Sequence, residues 1–156
     1  MTEARDKAIQ ENRNEILRRW KHAGLSLFSE AHSPSPLIAE VLGESMGALL
    51  DAMASGDEKL SEPLDAICRM LAVQPFRPST SMRLFTCLKT IVPETLRDAA
   101  GHTAPEVSLV ERFQSRTDEI ILMAFDRFMT HREELYKLKV EESRNRMHMA
   151  LRRAGV

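Results

Sequence analysis

The chain has 156 residues and a mass of 17.7 kDa, which is enough for one compact domain with a buried core. Aromatic residues make up only 5% of the chain, with six glycines and seven prolines, and this composition disfavours a turn-rich β-sandwich or barrel and favours helices. The 22 lysines and arginines are matched by 23 aspartates and glutamates, so we expect no nucleic acid partner that would require a basic excess.

The first helix is predicted over residues 3–31, where apolar side chains recur at steps of three and four residues. We expect it to end at His32-Ser33-Pro34, because a proline lacks the amide donor and restricts the residue before it. Ser35 is placed to cap the second helix, with Pro36 as its first residue. Gly43 and Gly47 lie inside that second helix and predict a close approach of another helix.

The middle of the chain is predicted to hold two helices. A break at Ser55-Gly56-Asp57 precedes a helix over about 58–73, and a rigid connector follows it from Gln74 to Ser79. The next helix is predicted to start near Pro78 or Ser79, and Ser79 is the candidate for its cap. Pro93 is expected to kink or restart this helix, and Gly101 to end it as a C-terminal glycine does.

The last helix is predicted from a capping box at Thr103 and Glu106, with Pro105 in the first turn, where its missing amide is harmless. No proline or glycine follows until Gly155, so the helix either runs nearly to the end or bends near Thr130-His131. Its first half carries a wide apolar stripe: Val107, Val110, Phe113, Thr117, Ile120, Ile121, Ala124, Phe125 and Phe128. A helix of about 45 residues would extend roughly 65 Å, more than such a domain can cover, so we expect a homodimer through the C-terminal helices.

The sequence beyond Thr130 changes character, because apolar residues become sparse among charges. No acidic residue follows Glu142, whereas Arg144, Arg146, Arg152 and Arg153 do. These arginines complement the helix dipole; contact with nucleic acid or an acidic partner is the alternative that we favour less, because no aromatic residues interleave. We therefore predict an all-α fold over 1–156, a single bundle of about six helices with a core over about 3–130 and a charged C-terminal helix over about 131–154.

No pattern in the sequence predicts catalytic, cofactor-binding or metal-binding residues. The five histidines form no HExxH pair, and nucleophile-elbow and phosphate-loop motifs are absent. Cys68 and Cys87 lie on apolar helix faces and are expected to be inert thiols. With no signal peptide and no apolar window of membrane-spanning length, we expect a cytoplasmic protein without membrane insertion. A haem globin with one proximal histidine stays open as an alternative.

Two segments resemble the N-terminal domain family of RsbRD proteins. The first is Ala72-Val73-Gln74, followed by Pro78-Ser79 and Leu88-Lys89-Thr90-Ile91. The second runs from Asp118 to Asp126 and continues with Arg132-Glu133-x-x-Tyr136. Trp20 fits the single tryptophan common in the first helix of this family. Each motif is weak alone, but their shared order and spacing over nearly the whole chain are more specific.

The resemblance implies an all-helical, globin-like sensory or regulatory module that lacks haem and dimerises through its last helices. Relatives stand before a STAS domain in bacterial RsbR-type stressosome proteins, which help to hold or release a kinase that controls a stress sigma factor. Nothing resembling STAS follows in this sequence up to Val156, so we expect a free-standing sensor domain or one acting through a separately encoded protein partner. Leu71 departs from the family pattern, in which an arginine often stands at that place.

The predicted function is a non-enzymatic sensory or regulatory domain that acts through protein–protein contacts, and the alternative is a globin-like haem or small-ligand sensor. The candidate residues are Gln74, Ser79, Lys89, Asp126, Arg132, Glu133 and Tyr136. Our first interpretation of them is structural: Gln74 satisfies backbone groups in its connector, and Asp126, Arg132 and Tyr136 tie the last helices together. The sharper alternative is that Gln74, Lys89, Arg132 and Tyr136 face a shared pocket or partner surface.

Overall fold

The computed structural model describes residues 2–28, 34–55 and 59–155, with the backbone alone for residues 2–6 and 55. Over these ranges the chain forms seven helices and no strand, which confirms the predicted all-α class. The helices are α1 (Thr2–Glu11), α2 (Arg13–Leu27), α3 (Pro36–Ser55), α4 (Ser61–Val73), α5 (Pro78–Thr86), α6 (Leu88–Ala99) and α7 (Val107–Arg153). The predicted stop at His32-Ser33 and the predicted break at Gly56-Asp57 lie outside the described residues. Among the helices described, none has the length and hydrophobicity needed to span a membrane.

The single helix predicted over 3–31 is divided into α1 and α2 at Asn12. The Asn12 side-chain amide donates a hydrogen bond of 2.9 Å to the carbonyl of Ala8, and the backbone leaves helical geometry at φ −106° and ψ 10°. Asparagine side chains compete in this way with the backbone ladder, so a polar residue interrupts a helix that the apolar pattern alone continues.

The start of α3 and its glycines agree with the sequence prediction. Ser35 accepts a hydrogen bond of 3.3 Å at its hydroxyl from the Ile38 amide, and Pro36 is the first helical residue. A Cβ added at Gly47 would stand 3.3 Å from the Leu17 side chain, and one at Gly43 would stand 3.0 Å from the Lys21 side chain. The two glycines therefore allow α3 to approach α2 closely.

The predicted cap at Ser79 is wrong. Arg77 is the residue before the proline, and its extended backbone (φ −67°, ψ 151°) makes it the N-cap of α5. The pyrrolidine ring of Pro78 disfavours helical geometry at the preceding residue and fits the first helical position itself. Ser79 is therefore already inside α5, and it is exposed.

Of the two alternatives predicted for Pro93, a kink or a restart, the restart is wrong, because Pro93 lies inside α6. The interruption falls instead at Cys87, whose carbonyl accepts hydrogen bonds from the amides of Thr90 and Ile91. A proline removes one amide donor and crowds the carbonyl four residues earlier, here that of Lys89 in the first turn. The helix therefore continues through Pro93 without a new start.

Gly101 ends α6 as predicted, with a left-handed backbone at φ +66°. The next amide, that of His102, bonds to the Arg97 carbonyl at 2.9 Å, as in a Schellman cap. The capping box predicted for α7 is wrong, because α7 begins at Val107 with Glu106 as its N-cap and no capping side chain. Pro105 favours an extended Ala104, which delays the start of the helix.

The core is built around the first half of α7, against which both α4 and α5 pack. Its largest buried side chains include Trp20, Phe85 and Phe128. The Trp20 indole donates a hydrogen bond of 2.6 Å to the carbonyl of Leu84, which joins α2 to α5. Of the two alternatives for the last helix, the continuous one is correct: α7 passes through Thr130-His131 unbroken for 47 residues, roughly 70 Å.

Candidate functional site

The candidate site lies where α7 leaves the bundle. Leu135 still packs against the hydrophobic core, but every described residue from Glu141 onwards is exposed. We call residues 137–153 the distal segment. The direction of this segment is fixed by side chains in the last turns of α7 that still contact α4. Arg132 makes the most of these contacts.

Arg132 binds the carboxyl end of α4. Its Nε donates to the carbonyl of Ala72, and its Nη2 donates to the carbonyls of Gln74 and Phe76, all at 2.7 Å. These carbonyls lie at or beyond the last turn of α4, where a helix leaves its acceptors unsatisfied and attracts positive charge. The guanidinium also lies over the Phe128 ring, 4.7 Å from its centroid. Arg132 thus joins the end of α4 to α7.

A groove of about 660 Å³ opens beside this contact. One wall is the end of α4 with its connector, and the other is α7 from Arg132 onwards; the lining residues are Ala72, Val73, Gln74, Pro75, Arg132, Glu133, Leu135, Tyr136, Lys137 and Lys139. Four predicted candidates therefore lie together: Gln74, Arg132, Glu133 and Tyr136. Gln74 accepts a hydrogen bond with its own backbone carbonyl, and the ring of Tyr136 is exposed rather than tied to another helix.

The three other candidates lie elsewhere. Lys89 forms an ion pair with Asp118 at 2.8 Å on the surface between α6 and α7, so it does not face the groove. Ser79 is exposed in α5. Asp126 borders a second open cavity of about 480 Å³ on another side of α7.

Two groove residues were missed by the sequence interpretation, namely Lys137 and Lys139. A signal was available for Lys139, because it follows Arg132 by seven residues and therefore lies on the same face of the helix two turns later. Both lysines give the groove a basic rim opposite the apolar side chains of Val73 and Pro75.

A polar cluster between α4 and α7 was also missed. Asp65 lies 2.8 Å from His131 Nε2, 3.1 Å from Arg69 and 3.5 Å from Arg127. Arg127 in turn donates a hydrogen bond of 2.7 Å to the Ser61 hydroxyl. Burial by itself would raise the pKa of Asp65, but the hydrogen bond to His131 and the neighbouring positive charges outweigh it and lower this pKa. The cluster therefore favours a charged Asp65 carboxylate between the two helices.

The two cysteines fit the prediction of inert thiols. Cys68 is buried and bonds to the carbonyl of Ala124 at 3.3 Å, and burial raises its pKa to about 12. Burial likewise raises the pKa of Cys87 to about 11. Neither side chain is a thiolate at neutral pH, so neither is an activated nucleophile. Within the ranges described, no group of three or more His, Cys, Asp and Glu side chains could hold a metal ion.

A second apolar stripe runs along the outside of α7, away from the bundle. Phe125 and Val107, which the sequence assigns to the wide apolar stripe, are not part of the buried face, since they are 44% and 69% exposed. We call this face the outer stripe; its members recur at steps of three, four, seven or eleven residues and are the exposed Leu122, Phe125, Tyr136, Met147 and Leu151 and the half-buried Val140. It covers roughly 44 Å of helix and continues from the folded half into the distal segment.

The chain is similar over part of its length to a protein of known sequence. An uncharacterized protein of Archaeoglobus fulgidus is 31% identical to this chain over 91 residues, which are 58% of this chain. The matched region spans 56% of the length of that protein. No protein-family model matches the chain, and no solved structure matches it.

Proposed function

We propose that the protein is a non-enzymatic sensory or regulatory domain that acts through protein–protein contacts and forms a homodimer through α7. The observation that carries the proposal is the outer stripe, in which Leu122, Tyr136 and Met147 are each at least 65% exposed. Contiguous exposed apolar surface of this kind marks an interaction face in soluble proteins. The distal segment has no apolar face covered by the rest of the described chain.

The groove supplies a route by which a signal reaches this interaction face. Arg132 holds the end of α4 to α7 three residues before the last core contact at Leu135. Anything that displaces the carbonyls of Ala72 or Gln74 from Arg132 alters the direction in which the distal segment leaves the bundle. A regulatory domain of this design converts an event at the groove into a change at the dimer.

The resemblance to the RsbRD N-terminal domain family supports the same function. The Ala72-Val73-Gln74 and Arg132-Glu133-x-x-Tyr136 motifs that carry the resemblance form the two walls of the groove. We therefore propose that the protein acts with a protein partner in a stress or environmental signalling system. We also propose a cytoplasmic location, because Cys68 and Cys87 are both free thiols, the usual state in that compartment.

The test is the mass of the purified protein in solution. Sedimentation equilibrium at micromolar concentration should give a species of about 35 kDa, twice the 17.7 kDa chain. Met147→Asp should shift the mass to that of the monomer, because it places a charge within the outer stripe. Arg152→Asp is the matched control on the same exposed segment, outside the stripe, and should remain dimeric. A strict monomer for the unaltered chain would remove the proposal's main support.

The alternative of a haem sensor has less support from the histidines described. His22, His102 and His148 are exposed, and the Nε2 atom of His131 is already within 2.8 Å of Asp65. A proximal ligand needs a free ring nitrogen inside a pocket. Absorbance after mixing with haem is the test: a Soret band shifted from that of free haem would favour the alternative.

A further inference from the structure

The charges beside the outer stripe point to one direction of pairing. We propose that α7 packs antiparallel against α7 of a second copy, with the two helices crossing near Tyr136. This inference rests on the proposed function, which supplies the dimer, and adds the direction and register of the pair.

The two ends of the outer stripe carry opposite charge. Towards its N-terminal end, Glu119, Asp126 and Glu133 flank the stripe. Towards its C-terminal end, beyond Glu142, the flanking charge is that of Arg144, whereas Arg146 lies 3.9 Å from Glu142 of the same helix. An antiparallel pair places the basic end of each copy beside the acidic part of the other, and the helix dipoles of the two copies then also oppose each other favourably.

Apolar and charged side chains define the same register. If the helices cross at Tyr136, Leu122 faces Leu151 of the partner subunit, because the two lie about equally far from the crossing point. Phe125 faces the partner's Met147 by the same argument. On one flank of the stripe, Asp126 is then placed for the partner's Arg144, and Glu133 for the partner's Lys137. The stripe and the charge pairs therefore agree on one crossing point.

A parallel pair lacks this agreement. It would place the basic C-terminal ends of the two chains side by side, with no acidic residue beyond Glu142 in either chain to offset Arg144. Like charges next to each other at an interface oppose association. Leu138 and Met149 are exposed on another face of the helix, so they do not extend the stripe for a parallel partner.

Cysteine cross-linking distinguishes the arrangements; of the native thiols, Cys68 is buried and Cys87 is half-buried, and the wild-type chain serves as the blank for both. Three single variants are needed: Leu122→Cys, Tyr136→Cys and Leu151→Cys. Under mild oxidation, Tyr136→Cys should form a covalent dimer, and an equimolar mixture of the other two variants should form a mixed dimer. Neither Leu122→Cys nor Leu151→Cys alone should cross-link.

The other outcomes of the cross-linking distinguish a wrong register from the absence of a dimer. Self-cross-linking of both Leu122→Cys and Leu151→Cys, without a mixed product, means a parallel dimer and overturns the antiparallel register while the proposed function stands. A dimer by sedimentation that none of the variants cross-links places the interface elsewhere and also overturns it. A monomer by sedimentation contradicts the proposed function itself.

A charge exchange tests the register without new cysteines. Asp126→Arg and Arg144→Asp should each weaken dimerisation about tenfold, because each places like charges together at two symmetric positions. The double variant restores opposite charges and should dimerise within about threefold of the wild type. If the double variant is as weak as the product of the two single changes, Asp126 does not face the partner's Arg144, and the register is wrong.

Discussion

The two halves of α7 belong to one continuous helix, but one half is buried in the bundle and the other is exposed. In the first half, Phe113, Ile120 and Phe128 are buried, α4 and α5 pack against the helix, and it forms the centre of the bundle. In the distal segment every residue from Glu141 is exposed, and the helix continues without support from the rest of the described chain. The first half is held by packing, whereas the second depends on helix propagation and on whatever covers its outer stripe.

The boundary between the halves is set by polar contacts rather than by a break in the helix. Arg132 and His131 lie side by side, one bound to the carbonyls at the end of α4 and the other to Asp65. These contacts fix the angle of the helix where its hydrophobic support ends. A change at this boundary is therefore expected to act on both halves.

The largest expected effect compares the buried face of α7 with its outer stripe, by replacing one phenylalanine in each. Phe128→Ala should lower the free energy of unfolding by about 3–5 kcal/mol, because Phe128 is wholly buried and leaves a cavity. Phe125→Ala, three residues earlier and 44% exposed, should cost less than about 1 kcal/mol in a monomer. Urea unfolding followed by Trp20 fluorescence measures both.

Protein concentration separates packing from dimerisation in this pair. The loss for Phe128→Ala should be present at every concentration, whereas Phe125→Ala should lose further stability only where the wild type is dimeric. Equal losses for the two variants in dilute solution would show that the outer stripe belongs to the core.

The second largest loss of stability is expected at Arg132, at the boundary between the two halves of α7. Arg132→Met should lower stability by about 2–3 kcal/mol, because three carbonyls at the end of α4 lose a charged donor. Arg132→Lys should recover only part of this, since an ammonium group cannot reproduce the planar fork. Arg152→Met, in the exposed distal segment, is the control and should stay within about 0.5 kcal/mol of the wild type. Thermal unfolding in dilute solution gives the comparison; an unaffected Arg132→Met would refute the role assigned to this side chain.

A smaller effect is expected at Asp65, and it depends on pH. Because the folded-state pKa of Asp65 is lowered, its charge stabilises the fold above the unfolded pKa near 3.8, and this contribution disappears as the pH falls below that value. Asp65→Asn should therefore cost about 1 kcal/mol at neutral pH and progressively less below about pH 4. Asp118→Asn, in an exposed pair with Lys89, should change stability by less than about 0.5 kcal/mol. Unfolding curves over a pH series would contradict this if the difference at Asp65 persisted in acid.

The sequence predicts well those features that depend on neighbours along the chain. The Ser35 cap needs only the amide three residues on, and Gly101 needs only its own left-handed backbone, so both were predictable. The start of α7 was missed by a few residues because two local signals compete there: the Thr103 capping pattern, and the restriction that Pro105 places on Ala104.

The contacts at the candidate site depend on residues far apart in the chain. Arg132 binds carbonyls about sixty residues earlier, and His131 meets Asp65 at a separation of 66. Helical periodicity specifies which residues share a face, but the rotation of α4 against α7 decides which of those faces meet. Phe125 shows the same limit, since α7 is apolar on two sides and the pattern does not say which side is buried.

The smallest effect on the stability of the bundle is expected from a proline in the distal segment. This variant tests whether the two halves of α7 fold independently. Ser143→Pro should end the helix within the distal segment, because proline removes an amide donor and clashes with the preceding turn. A proline inside a helix costs about 3 kcal/mol when the helix is part of the folded unit. In dilute solution the urea midpoint should nevertheless stay at the wild-type value, while far-ultraviolet circular dichroism reports the loss of the last turns.

The matched control is Ser143→Ala, which keeps the helix and should leave both measurements unchanged. At higher concentration the two variants should diverge, because only Ser143→Ala retains the outer stripe through Met147 and Leu151 and therefore the dimer. Loss of core stability in dilute Ser143→Pro would mean that the distal segment folds as one unit with the bundle. An unchanged core together with a lost dimer would mean instead that the helix of this segment serves mainly to bind a second chain.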